Sequence, residues 1–328
     1  MTSKYYKYKH DLSILIMDKM YKVNTNFKID FSKKLIKKFL KINQEKYCFE
    51  NENRSLAVFA HTNIGKEIFI EGLYERKELY ILLEFIKSMG INLSECLAID
   101  IGANIGNHTL YFSRFFKEVY AFEPHPDAFS LLSFNTRNLD NIKIFNFGIG
   151  DENEDVYLFH DPHHIGHASA IYKKGRSIRK KINLKKFDQL VIPKNIHSLL
   201  KIDVEGMEFE VLKGSLNYIK NLAPIICFEQ HKSDFDTNNS TKSIRFLSKH
   251  GYVIFYIEKE INIPNFFIKL IPLEFRGFIK DIFSYNFFGL FKNHSYQRYI
   301  LKNTISIKKD YYPFLIAVPQ SMLTKSTN

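Results

Sequence analysis

Apolar residues in this chain gather into short runs that end at acids or glycines, and these runs alternate with stretches of helical period. Residues 55–71 alternate weakly, as in Leu56-Ala57-Val58-Phe59-Ala60, and suggest a hairpin. Leu79, Leu82, Leu83 and Ile86 then fall on one face of a helix that Gly90 closes. Residues 96–101 read as a first sheet strand. A turn with Gly102 and Gly106 leads from it into a helix over 109–116. Val119-Tyr120-Ala121-Phe122 is a second strand with Glu123 at its tip, and Pro124 and Pro126 start the next helix. Residues 142–147 give a third strand, followed by Gly148-Ile149-Gly150-Asp151 as a turn.

Residues 155–192 alternate without helical period and read as a β excursion. Its tip carries His160, His163, His164 and His167, with no carboxylate or cysteine at clear ligand spacing. Leu199-Leu200-Lys201-Ile202-Asp203-Val204 is the next sheet strand, and a helix through Phe209 and Leu212 follows. Ile225-Ile226-Cys227-Phe228 ends in Glu229-Gln230-His231. A helix over 243–249, a strand over 252–257 and a last strand over 314–318 complete the series. Strands and helices in alternation predict an α/β domain around a mostly parallel sheet.

Two segments stand apart. Phe31, Leu35, Ile36, Phe39 and Leu40 share a helical face with lysines around it, so 31–41 reads as a surface helix or a membrane-contacting one. About fifty residues separate the last two strands, far more than a hairpin needs. Within them Phe275, Phe278, Ile279, Ile282 and Phe283 form a stripe. This predicts an inserted lid, a docking element or a membrane contact over 262–294. The expected organisation is an accessory helical segment at 1–50, the main domain at 51–257, the insertion at 258–310, and the final strand and tail at 311–328.

Composition changes the picture little. The 328 residues carry a formal charge of +12, which raises nucleic acid or an anionic membrane as partners. The lysines are spread along the chain, so compositional bias accounts for the charge first. Three separated cysteines, Cys48, Cys96 and Cys227, support neither a disulfide framework nor a zinc knuckle. No apolar run is long enough for a signal core or a membrane span, so a reduced, cytoplasmic protein is expected.

The chemistry sits at the predicted strand ends. Asp100, Gly102, Asn104 and Gly106 make a glycine turn between a strand and a helix, where free backbone N–H groups converge. Asn104 occupies the place of the middle glycine of a dinucleotide loop, the glycine that lets a pyrophosphate approach. A nucleotide cofactor without phosphates, such as S-adenosylmethionine, does not need it. Glu123 is placed to accept two ribose hydroxyls. Asp151 is a candidate for an adenine amino group or for capping its own turn. Asp203 and Glu205 leave the fourth strand beside the glycine turn, and His231 leaves the fifth. Against a catalytic role, Glu205 would cap the next helix and Lys201 would pair with an acid.

The motifs Ile99-Asp100-Ile101-Gly102-Ala103-Asn104-Ile105-Gly106, Phe122-Glu123-Pro124 and Lys201-Ile202-Asp203-Val204-Glu205-Gly206-Met207-Glu208, with Phe228-Glu229-Gln230-His231, resemble the FkbM family of S-adenosylmethionine-dependent methyltransferases. The resemblance covers roughly residues 70–257 and the final strand. It implies a doubly wound, Rossmann-like class I methyltransferase fold of seven strands, with two antiparallel strands at one edge. It also implies O-methylation of a sugar, glycan or natural-product hydroxyl. It places Asp100, Gly102, Asn104 and Gly106 around the methionine portion, Glu123 at the ribose and Asp151 at the adenine.

A sugar hydroxyl is a weak nucleophile, so a base is expected among Asp203, Glu205 and His231, with neutral His231 the natural choice. A divalent metal on Asp203, Glu229 and His231 is conceivable, though the spacing does not demand one. Three rivals remain. A nucleic-acid methyltransferase would suit the charge but lacks the Asn/Asp-Pro-Pro-Tyr/Phe signature. A nicotinamide dehydrogenase needs the middle glycine, where this chain has Asn104. A non-catalytic cofactor-binding or membrane-docking module would not need the intact turn and its acids.

Overall fold

A computed structural model describes residues 56–161, 164–169, 178–193, 196–261, 297–303 and 307–323, together with Lys37 and Lys38. The chain divides into two compact units, one of residues 1–54 and 68–72 and one of residues 55–67 and 73–328. The larger unit holds both sheets and the cavity treated below. The remainder of 31–41, the segment 262–294 and the side chains of His160, His163, His164 and His167 lie outside the described residues. Among the described residues no helix is long and apolar enough to cross a membrane.

The main sheet has eight strands: β1 (Leu97–Ile101), β2 (Glu118–Phe122), β3 (Ile142–Phe145), β8 (Ser198–Ile202), β9 (Ile225–Gln230), β10 (Tyr252–Ile261), β11 (Gln297–Asn303) and β12 (Tyr312–Pro319). They lie in the order β3-β2-β1-β8-β9-β12-β10-β11. The pairings β1–β2, β2–β3, β1–β8 and β8–β9 are parallel, whereas β12 runs antiparallel between β9 and β10. This is the doubly wound architecture that the motif resemblance implies. The eighth strand is the difference: β11 comes from inside the expected insertion and pairs antiparallel with β10.

The strand order reverses between β1 and β8, so a crevice opens where those two strands end. Register decides what stands there. Ile101 is level with Phe122 on one side and Ile202 on the other, and Ile202 is level with Phe228. One residue further on, Glu123, Gly102, Asp203 and Glu229 therefore form a row across four strands.

Beneath that row the central strands are buried on both faces. Ile99, Ile101, Leu200 and Ile202 pack on one side. Ala98, Leu199 and Cys227 pack on the other, under Leu79, Leu82, Leu83 and Ile86 of the helix Arg76–Ser88. Asp100 and Lys201 fall on that second face, and both are buried there.

Two expectations are corrected. The segment read as a hairpin contains the helix Asn63–Glu71. Its start is set by Thr62, whose hydroxyl oxygen accepts from the Gly65 N–H at 3.0 Å, a cap the alternation hides. The Gly148-Ile149-Gly150 stretch is not a turn but a buried strand, β4 (Gly148–Gly150). It pairs with β7 (Ile178–Lys186) in a second sheet of order β4-β7-β5-β6, whose other members are β5 (Glu154–Asp161) and β6 (His164–Ser169). The glycines are there for packing: a Cβ on Gly148 would stand 2.6 Å from Leu184 Cδ2.

The helix Glu208–Gly214 docks on this sheet through Gly214, where a Cβ would lie 1.9 Å from the Gly150 carbonyl oxygen. By helix propensity alone Gly214→Ala would stabilise by about 1 kcal/mol. The clash reverses the sign, and we expect a net loss of about 1–3 kcal/mol in denaturant unfolding. A gain in stability would show that the contact yields.

Candidate active site

The backbone at the crevice is shaped by neighbouring strands before any ligand is considered. A Cβ on Gly102 would stand 1.7 Å from the Asp203 carbonyl oxygen, and φ there is +82°. Gly106, at φ +91°, opens the helix Asn107–Phe112 and leaves room for Leu132, whose Cδ1 would lie 2.8 Å from a Cβ. Glu123 ties the turn to β2. Its Oε2 accepts from the Asn104 N–H at 2.8 Å and its Oε1 from the His125 N–H at 2.7 Å. Burial pushes the Glu123 carboxyl up to about 7. Asn107 brackets Tyr74 with two backbone bonds of 3.1 and 3.0 Å, which fixes the segment ahead of Glu75.

Beneath the row lies a chain of buried polar groups. The Thr109 hydroxyl donates to Asp100 Oδ2 at 2.6 Å. Lys201 Nζ stands 3.7 Å from Asp100 Oδ1 and donates to Asp203 Oδ2 at 2.9 Å. Against the cost of burial, the Lys201 charge holds the Asp203 carboxyl below the usual range. Glu208, not Glu205, closes the turn after β8: its Oε1 accepts from the Val204 and Gly206 N–H groups. His108 Nε2 lies 3.2 Å from Glu75 Oε2. Burial pushes His108 down to about 3 and Glu75 up to about 8, so near neutral pH this pair is a carboxylic acid beside a neutral imidazole rather than an ion pair.

Above the row is a cavity of about 290 Å³. One wall is apolar and comes mainly from the second sheet, through Ile149, Leu158, Ile182 and Leu184. The floor carries Gly102, Asn104 and Glu123, and the opposite end carries Asp203, Glu205, Glu229 and His231. His231 Nε2 is 3.4 Å from Glu229 Oε2 and 3.9 Å from Glu205 Oε2. The Glu229 carboxylate beside it, with Glu205 behind, holds His231 up to about 9. Three residues at the cavity, Glu75, Asn104 and Glu205, adopt φ of 54°, 51° and 55°, a region non-glycine residues seldom occupy.

Residues 100–254 match the family described as the methyltransferase FkbM domain. That stretch, somewhat under half of the chain, is what resembles the FkbM family. Hexuronic acid methyltransferase AglP of Haloferax volcanii is 32% identical over 132 residues, which are 39% of this chain and 53% of that protein. The chain thus spans about half the length of that relative. Methyltransferase 1 of Beauveria bassiana is 27% identical over 205 residues, 53% of this chain and 76% of that protein. Among solved structures, methyltransferase FkbM from Methylobacillus flagellatus KT is 16% identical with a TM-score of 0.35, covering 64% of this chain and 54% of that one.

Within the FkbM domain, six of the nine residues singled out by sequence line the cavity: Gly102, Asn104, Glu123, Asp203, Glu205 and His231. Asp100 and Gly106 stand behind it and shape the loop from below. Asp151 is not among the lining residues. Lys213 takes its carboxylate and holds it below the ordinary range. The apolar Ile149 occupies that part of the wall instead. His231, expected as a neutral base, has carboxylate neighbours that raise its affinity for a proton. Sequence reasoning passed over Tyr74, Glu75 and Tyr311, which line the cavity from outside the matched FkbM stretch. Tyr74 and Glu75 look like an ordinary approach to a helix. Tyr311 lies 82 positions from Glu229, to which its hydroxyl donates at 2.7 Å.

The buried acids give a signed pH dependence. Glu75 rises to about 8, and Glu123 and Glu208 each to about 7, so the folded chain holds protons that the unfolded chain has released. Above pH 6.5 His108 is neutral in both states and does not oppose them. Stability therefore falls as pH rises from 6.5 to 8. Calorimetry should show a falling melting temperature over that window, with a shallower fall in Glu75→Gln. A melting temperature that rises with pH there would mean that these carboxyls are ionised in the folded chain.

Proposed function

We propose that the chain is an S-adenosylmethionine-dependent methyltransferase acting on a hydroxyl of a small polyhydroxylated acceptor, of the sugar or glycan class. One observation carries the reading. The described lining of the cavity includes the carboxyl groups of Glu75, Glu123, Asp203, Glu205 and Glu229, and neither a lysine nor an arginine. Apart from His125 and His231 a pyrophosphate meets no basic side chain there, whereas the Asp203 carboxylate, held in its charged form by Lys201, favours a sulfonium cation. The same charge speaks against a nucleic-acid backbone at the reacting centre. That AglP is named a hexuronic acid methyltransferase supports a sugar acceptor.

The cofactor, when bound, supplies a methyl group already activated for displacement. The chain's own residues bind and orient. Glu123 retains lone pairs beyond those taken by the Asn104 and His125 N–H groups, and these suit two vicinal hydroxyls. The Gly102–Asn104 backbone faces the amino-acid portion, and Ile149, Leu158 and Leu184 give an apolar surface for a purine. Asp203, fixed by Lys201, accepts a hydrogen bond from the acceptor hydroxyl and aligns its oxygen. The acid cluster at Asp203, Glu205 and Glu229 would take the proton that the acceptor hydroxyl gives up when it is methylated.

Calorimetry tests the cofactor directly. S-adenosylmethionine or its demethylated product should bind, and NAD should not. Glu123→Gln should weaken cofactor binding by about 1–3 kcal/mol, because its amide turns a donor toward a donor. NAD binding without a response to either methyl-cofactor form would overturn the reading.

Turnover can be followed on neutral and uronic glycosides. There Asp203→Asn, Glu205→Gln and His231→Ala should keep cofactor affinity. The variant that loses about 10²–10⁴-fold in rate identifies the base. Full activity in all three would leave alignment alone as the source of rate.

A further inference from the structure

The end of the cavity away from Glu123 is more elaborate than methyl transfer requires. Glu205, Glu229 and His231 each offer one ligand atom here, and the three atoms lie within 4.8 Å of one another. At 3.4 and 3.9 Å from the two carboxylates, His231 Nε2 makes a hydrogen bond to neither. Such separations suit atoms that share a third partner. Two ligands about 2.1 Å from one metal ion lie roughly 3.0–3.4 Å apart at right or tetrahedral angles and about 4.2 Å apart when opposite, so the 3.4 Å pair is near its bound spacing and the 3.9 Å pair needs a small adjustment.

The second observation is Glu229 itself. The residue is only 9% exposed, and its Oε2 makes no hydrogen bond, standing 3.4 Å from His231 Nε2 within the cluster. The other oxygen is satisfied by the Tyr311 hydroxyl at 2.7 Å, so the carboxylate is held with one oxygen presented inward. A buried carboxylate oxygen left without a donor is costly, and Asp203 adds a further negative charge beside it. The supporting shell is in place as well. Asp234 Oδ2 accepts from the His231 N–H at 3.2 Å and from Gln230 Nε2 at 2.7 Å, which fixes the turn that carries the imidazole. An outer shell of this kind is what orients metal ligands.

We propose that Glu205, Glu229 and His231 bind one divalent cation. One nitrogen and two oxygens suit manganese or zinc better than calcium, which takes oxygen alone. Three protein ligands leave positions open toward the cavity. On the reading of this cavity as a methyl-transfer site, those positions take two acceptor oxygens, from a vicinal diol or an α-hydroxy acid. The cation then reconciles a carboxylate-lined pocket with an anionic acceptor, and it lowers the pKa of the hydroxyl to be methylated.

The test uses the full chain, stripped with chelator and titrated with Mn²⁺ alone, without cofactor or acceptor. Free Mn²⁺ is followed by its paramagnetic resonance signal. One saturable site per chain is expected. Glu229→Gln and His231→Ala should abolish it. Tyr311→Phe removes no ligand but frees the Glu229 carboxylate, and should weaken binding about 10–100-fold.

Circular dichroism on each variant shows that it is folded. Should His231→Ala fail to fold, Glu205→Gln takes its place. Absence of a saturable site, or a site that survives in all the ligand variants, would overturn the proposal; the second result would locate the ion elsewhere, as at the histidines of 160–167. Because Mn²⁺ is titrated without cofactor, a chain that binds Mn²⁺ but no methyl-cofactor would sink the methyl-transfer reading and leave the cation site standing.

Discussion

A single buried ammonium group underlies the upper edge of the sheet. The Lys201 side chain is 4% exposed, and it sits between Asp100, fully buried on β1, and Asp203, at the end of β8. Two charges taken out of water, with the part-exposed Asp203 beside them, are tolerable only because Lys201 stands between the two acids. Removal of one partner from such a group typically costs about 3–5 kcal/mol. The arrangement fixes the relative height of β1 and β8, and that height sets the row Glu123, Gly102, Asp203 and Glu229. The Thr109 bond to Asp100 extends the same constraint to the helix after the glycine turn. The geometry of the cavity floor is thus set from below.

The parts of this arrangement that lie close together in sequence were legible there. The helical stripe Leu79–Ile86, the strand ending at Asp100, the acid at Glu123 and the β excursion after Asp151 each follow from a local period or a local stop. Register was not legible, because parallel pairing joins residues from 21 positions apart, as at Leu97 and Glu118, to 101 apart, as at Leu97 and Ser198, and leaves no local mark. The acids at Glu123, Asp203 and Glu229 could be read as strand ends, but not as one row. Asp151 was misplaced because Gly148-Ile149-Gly150 has the composition of a turn. Its glycines serve instead to let Leu184 and the helix ending at Gly214 come close. Glu75 and Tyr311 gave no signal, since their role exists only where the chain returns to the cavity from both sides.

The sign of the cavity differs from the sign of the chain. The sequence carries +12 overall, while the described cavity lining is rich in carboxyl groups and has no lysine or arginine. Net charge describes the outer surface and what it attracts at long range. The lining decides what is tolerated at contact. An inference from composition alone would favour a phosphate-bearing ligand at the site, whereas the lining favours a cation.

The left-handed residues at the cavity have a consequence for how such a chain can change. Glu75, Asn104 and Glu205 hold side chains in backbone conformations that glycine would occupy at lower cost, by about 1–2 kcal/mol each. Selection for robustness alone would drift toward glycine at all three positions and erase the groups that face the cavity. Improvement of the scaffold and retention of the chemistry therefore pull in opposite directions here. Positions where a chain keeps a costly side chain against that drift mark where its function has been defended.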